Sequence, residues 1–316
     1  MKRILVTGAG GFIGHHLVKR LKSEGYWVRA TGRKLPLYEE SPADEYICTD
    51  LLKSIDTVTL FSDIDEVYHL AADMGGIGYI HQNEAKTATT NGLIDLNMLS
   101  YAIECKVKRF FYASSACVYP SRYDIKYTLN ESDVFPYDPQ SGYGFEKLFL
   151  EHVCQLYNKQ GLEVRVGRFH TIYGPMSIYD GDKAKAPMAL CRKISETENF
   201  GYIDVWGDGE QSRSILYIDD AIDAIRIVMD SNVLVPVNIG SETLYTINEL
   251  LNVLCIIAEK HIVFKYDITK PQGSRGRGSD STVLKSIGWG ENTSTIVGLT
   301  KTYKWVEAMV RSKVCV

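Results

Sequence analysis

Residues 7–14 read TGAGGFIG, with glycines at 8, 11 and 14, and what flanks them decides the fold. Before them, RILVT (3–7) is an apolar run of strand length. After them, FIGHHLVKRLKSEG (12–25) repeats apolar residues at helical spacing and closes on Gly25. Glycine lets the backbone turn tightly and come close to a ligand. A helix N-terminus behind such a turn offers free N–H groups and a partial positive charge, a ready site for a pyrophosphate. The strand before and the helix after are the context this glycine pattern requires. Gly8, Gly11, Phe12, Ile13 and Gly14 are therefore the expected contacts of a dinucleotide.

The alternation continues outward. YWVRAT (26–31), EYICTD (45–50), DEVYHLAA (65–72), VKRFFYASS (107–115) and EVRVGRFH (163–170) read as strands, and 91–106 and 143–161 as helices. Near-continuous apolar strands between helices predict an α/β fold built on a doubly wound parallel sheet, covered on both faces. After residue 170 the pattern loosens. The sequence predicts a dinucleotide-binding domain at 1–170, with 214–237 returning to it as strand and helix. A smaller C-terminal substrate-binding lobe is expected from 171–213 and 238–316.

Composition narrows the function classes. The 316 residues carry a net charge of -4 and no basic block, which argues against nucleic acid as a partner. No apolar run approaches the roughly 18 residues of a membrane span, and no signal-peptide core precedes the glycines. The seven cysteines, at 48, 105, 117, 154, 191, 255 and 315, form no CxxC, and the seven histidines form no HxxxH. No metal site and no disulfide framework is expected, His15-His16 reads as flanking a helix start, and a cytoplasmic location fits.

An acid at the end of the second strand would bond the adenosine ribose and favour NAD. This chain has Gly32 and Arg33 there. Arg33 is either a contact for a 2′-phosphate, which leaves NADP open, or a solvated loop charge. Asp50, followed by Leu51, is either an adenine contact or a helix N-cap.

YGFEK places Tyr143 and Lys147 four residues apart on one face of a helix. A nearby ammonium makes a phenol, with its ordinary pKa near ~10, a usable base. Ser115, ending a strand, is positioned to hold the oxygen that Tyr143 deprotonates, a trio suited to hydride transfer with a nicotinamide.

TGAGGFIG, SSACVYP and YGFEK together resemble the extended short-chain dehydrogenases/reductases, a Rossmann-type family acting largely on nucleotide sugars. HLAADMGGIGYI, KRFFYASSACVYP, GRFHTIYGP, KAPMALCRK, WGDGEQSRS and RGRGSD are similar, in the same order, to the members that epimerise GDP-mannose. The resemblance implies transient oxidation at C4 of a GDP-hexose, proton exchange at C5 and C3, and re-reduction, with a homodimer expected. It implies GDP-L-galactose or GDP-L-gulose as product. Carried over, Cys117 and Lys185 are the base and acid at carbon. Strand alternation would set Cys117 on the same side as Ser115. Gly75, Thr171, Lys193, Gln211 and Arg277 are the implied substrate contacts, and Arg213 is either a further partner or a surface charge. An arginine suits a diphosphate because its planar fork bonds two oxygens. The chain departs from the family's pattern at Gly32 and Ala184, where acids are usual, and at Thr171, where Asn is usual. A GDP-sugar 4-reductase or C4 dehydrogenase, and a non-catalytic dinucleotide sensor, are the competing readings.

Overall fold

The computed structural model describes residues 1–53, 57–120, 123, 128–139, 141–270 and 275–314. Cys315, and residues 271–274 of the polar stretch 270–280, lie outside them. The first half runs β1 Arg3–Thr7, α1 Phe12–Ser23, β2 Trp27–Gly32, β3 Glu45–Cys48, β4 Glu66–His69, α2 Ile77–Gln82, α3 Glu84–Glu104, β5 Arg109–Ser115, β6 Thr128–Leu129, α4 Gly142–Lys159 and β7 Glu163–Phe169. The second half continues with β8 Thr171–Tyr173, α5 Ala186–Glu196, β9 Tyr202–Trp206, β10 Ser212–Tyr217, α6 Ile218–Asp230 and β11 Val237–Ile239. It closes with β12 Leu244–Thr246, α7 Ile247–Ala258, β13 Val263–Asp267, β14 Gly276–Ser279, α8 Thr282–Ser286 and α9 Thr295–Val314.

Seven strands form a sheet in the order β11-β7-β5-β4-β1-β2-β3, every neighbouring pair parallel. Strand alternation divides its side chains between two cores. Ile4, Val6, Val28 and Ala30 pack with Leu17, Val18 and Leu21 of α1 and Ile222 and Ile225 of α6. Leu5, Val67, Phe110 and Val164 face the other way, onto Met98 and Leu99 of α3 and Leu150 and Cys154 of α4. The chain reverses its direction of travel between β1 and β4. In such sheets ligands bind outside the carboxyl ends of the strands at that switch point. Gly8 follows β1 there, and Ser115 ends β5 on the same edge.

The second lobe holds a sheet ordered β12-β10-β14-β6, with β8 beside β10, and a parallel pair, β9 with β13. Three details differ from the sequence reading. In the returning segment 214–237 the helix α6 does pack on the main sheet, but the strand half belongs to β10 of the second sheet. β11, the last strand of the main sheet, straddles the expected boundary at 237/238. α3 begins at Glu84 rather than 91, because its first turns, EAKTATT, lack an apolar stripe and bury Thr87 instead. His15 and His16 lie inside α1, where His15 is buried and bonded to Glu39 at 2.7 Å. Among the described residues no helix is long and apolar enough to cross a membrane.

Candidate active site

The glycine turn is shaped for an anion. Gly8 has φ of +66°, a left-handed conformation that side chains resist. A Cβ on Gly14 would run into the Gly8 carbonyl, so α1 can start this close to β1 only with glycine. No side chain caps α1 and no acid stands in its first turn, which leaves its N–H groups and dipole to a ligand. These residues fit the pyrophosphate of a dinucleotide. They line a cavity of about 350 Å³ that also reaches Gly75, Ser115, Tyr143 and Lys185.

Ser141 caps α4, its hydroxyl accepting the Gly144 N–H at 3.2 Å, which sets Tyr143 in the first turn. Burial pushes the Tyr143 phenol well above the ordinary range, with Lys147 and Ser115 pulling the other way. Lys147 stands behind it, 5.8 Å from the ring centroid and 1% exposed. Its ammonium donates to Asp95 Oδ2 at 2.9 Å and to the Tyr112 hydroxyl at 3.1 Å. Burial alone would lower its pKa, but Asp95 first and Glu146 second raise it, so Lys147 keeps its charge.

Asp95 also meets His69 Nε2 at 2.8 Å, and His69 Nδ1 meets Thr7 Oγ1 at 2.7 Å. Thr7 Oγ1 already accepts the N–H groups of Leu70 and Ala71, both at 3.2 Å. Its own proton therefore goes to Nδ1, and His69 donates from Nε2 to Asp95. A buried chain thus joins the residue before Gly8 to Lys147. Sequence reading missed it, because a lone acid between Ile94 and Leu96 has no partner at a telling spacing. Burial opposes ionisation of Asp95, but Lys147 and His69 hold its carboxyl well below the usual range. Glu146, buried 3.5 Å from the Lys147 ammonium, is pushed up to about 9 by burial first, with Lys147 opposing and Asp95 adding to the rise. Replacing Asp95 by Asn strands the Lys147 charge, and a loss of about 3–5 kcal/mol is expected by denaturant titration.

Cys117 is not on the strand. β5 ends at Ser115, and residues 116–118 form a single 3₁₀ turn capped by Ser115, whose Oγ accepts the Cys117 N–H at 3.2 Å. The turn, rather than strand alternation, puts the two residues together. Cys117 lies close enough to Tyr143 and to Lys185 to act on the charge of both. Two lysines reach the cavity from one loop, and their partners separate them. Lys183 is paired with Asp73 at 3.0 Å and sits 4.1 Å over the Tyr79 ring. Lys185 heads α5, makes no ion pair or hydrogen bond among the described residues, and has its pKa lowered by burial.

The remaining candidates are not among the residues that line this cavity. Arg33 is exposed, and Asp50 accepts the Leu52 N–H at 3.2 Å, a local cap, beside buried Leu51. On the second lobe Arg213 faces Arg277 across β10 and β14. Arg277 donates to the Ala116 carbonyl at 3.1 Å, while its Nε and Nη2 are buried without partners among the described residues. Gln211 is buried and donates to the Trp206 carbonyl, Lys193 donates to the Asp204 carbonyl, and Thr171 opens β8. The carbonyl of Ala116 therefore links the Cys117 turn to the arginine of the second lobe.

The family described as NAD dependent epimerase/dehydratase matches residues 4–240. GDP-mannose 3,5-epimerase 1 of Oryza sativa subsp. indica is 40% identical over 98% of this chain and 83% of its own. GDP-mannose 3,5-epimerase of Arabidopsis thaliana is also 40% identical, over 98% of this chain and 84% of its own. Among solved structures, UDP-glucose 4-epimerase of Thermotoga maritima, with UDP-glucose, superposes with a TM-score of 0.86 at 26% identity. That match covers 98% of this chain and 99% of the other.

Proposed function

The chain belongs to the NAD dependent epimerase/dehydratase family, and within it we propose an isomerase that inverts GDP-mannose at C5, C3 or both. The observation that carries the reading is one cavity lined by Ser115, Tyr143 and Lys185, with Cys117, in the turn that Ser115 caps, near enough to bear on the charge of Tyr143 and Lys185. Bound NAD supplies the acceptor, and later the donor, of hydride at C4.

The protein's own residues do the rest. Tyr143, oriented by Ser115, takes the C4 hydroxyl proton, with the charge of Lys147 behind it offsetting the phenolate. The resulting ketone acidifies the hydrogens on C3 and C5. Cys117 removes one as base and Lys185 delivers another to the opposite face. Arg277, with buried unpartnered N–H groups, is suited to the diphosphate, helped by Gln211, Lys193 and Arg213, with Gly75 and Thr171 toward the hexose. Residues 1–170 with α6 and β11 then hold the coenzyme, and the second lobe holds the nucleotide sugar.

Incubation with GDP-mannose and chromatographic analysis of the products tests this reading. GDP-L-galactose or GDP-L-gulose, formed without added reductant, is the expected result. Net oxidation or reduction of added coenzyme would place the chain among the family's reductases or dehydrogenases instead.

Lys185 gives a pH dependence. Burial destabilises its ammonium, so it loses its proton below the ordinary lysine pKa of about 10.4. The proton donor is present below the lowered pKa and is lost as pH rises through it. Epimerisation should therefore fall on the alkaline side earlier than an exposed lysine would allow. A wild-type pH–rate profile whose alkaline limb falls below the ordinary lysine pKa of about 10.4, while coenzyme binding keeps no such limb, checks the assignment.

A homodimer is supported by α3 and α4, which pack side by side. They expose Leu93, Leu96, Phe145, Phe149 and Leu156, the last three along one stripe of α4. Light scattering checks it. The six cysteines described are all free, which supports the cytoplasm.

A further inference from the structure

The family's usual acid at the end of β2 is replaced here by Gly32, and the structure shows what fills its space. A Cβ on Gly32 would come within 2.8 Å of the Tyr46 hydroxyl, and a Cβ on Gly10 would meet the same atom at 2.8 Å. Tyr46 stands on β3 opposite Ala30, on the strand face it shares with Gly32, and its ring leans along the strand toward the glycine turn. Its hydroxyl donates to the Lys34 carbonyl at 2.7 Å. That bond uses the only proton the phenol has, so its oxygen faces Gly10 and Gly32 as an acceptor.

We infer that Tyr46 takes the place of the missing acid, accepting a hydrogen bond from the adenosine ribose 2′-hydroxyl and so selecting NAD over NADP. A carboxylate selects the same way: it accepts from a hydroxyl and offers nothing to a phosphate, which is itself an acceptor. Burial pushes the Tyr46 phenol up to about 12, so the proton that orients it stays in place at neutral pH. Gly10 and Gly32 are the sequence consequence, since either side chain would drive the hydroxyl away. Arg33 is exposed beside them and, on this account, does not define the pocket.

The inference rests on the coenzyme reading and not on the sugar chemistry, so a binding measurement tests it apart from epimerisation. Dissociation constants for NAD+, 2′-deoxy-NAD+ and NADP+ are measured by isothermal titration of the full chain freed of coenzyme, as wild type and as Tyr46→Phe. The wild type is expected to bind NAD+ more tightly than either of the others. Tyr46→Phe should weaken NAD+ about three- to tenfold, the value of one neutral hydrogen bond, and leave 2′-deoxy-NAD+ unchanged. Equal weakening of NAD+ and 2′-deoxy-NAD+ would reduce Tyr46 to a brace for the loop at Lys34 and overturn the inference. So would unchanged NAD+ binding, or wild-type binding of NADP+ as tight as that of NAD+.

Discussion

Cys117→Ala is expected to lower epimerisation by about 10²–10⁴-fold, the usual contribution of a positioned proton-transfer group, while NAD+ binds as before. The contrast with the other cysteines gives the reason. Cys154 and Cys191 are fully buried in the cores, and burial raises both thiols, Cys191 to about 12, which makes them packing residues. Cys117 belongs to neither core. It sits half-buried in the turn capped by Ser115, near enough to Lys185 to bear on its charge. On the proposed mechanism, removing its sulfur takes away the base at carbon and leaves the machinery for C4 in place. Rapid mixing with GDP-mannose should therefore still show reduced nicotinamide forming on the Cys117→Ala enzyme. A variant that epimerises at the wild-type rate would return Cys117 to a packing role.

Tyr143→Phe should act one step earlier. On the proposed mechanism no other group takes the C4 hydroxyl proton, so both the reduced-nicotinamide signal and product formation should fall by about 10²–10⁴-fold. Phenylalanine keeps the buried ring, 3% exposed, and gives up only the hydroxyl's bond to the Met74 sulfur at 3.6 Å, so folding should be little changed. The pair of variants separates oxidation from proton exchange. A Tyr143→Phe enzyme that still reduces bound coenzyme at the normal rate would remove Tyr143 from the oxidation step.

Much of this was legible from short-range pattern. TGAGGFIG between a strand and a helix announces the phosphate turn, and the alternation after it announces the parallel sheet. YGFEK and SSACVYP mark residues that the fold brings to one cavity. What stayed hidden depends on contacts between segments. Tyr46 meets Gly32 only through the register of β2 with β3, and Asp95 meets Lys147 only because α3 packs against α4. The choice of Lys185 over Lys183 became a physical one once Asp73 was seen to occupy Lys183. In the second lobe, strands as short as β6, β8 and β12 carry too few residues to show a period. Strand reasoning placed Cys117 beside Ser115 for the wrong reason, because a 3₁₀ turn and not alternation brings it there.

The central claim is that one sugar carbon is oxidised and restored while a neighbour exchanges its proton through Cys117 and Lys185. Turnover of GDP-mannose in D2O, with the recovered GDP-hexose examined by NMR, tests it most directly, since thiol and ammonium hydrogens equilibrate with solvent. The account predicts deuterium at C5, C3 or both, the original hydrogen at C4, and no build-up of free NADH. Solvent deuterium at neither C3 nor C5, or NADH released in step with sugar consumed, would contradict it.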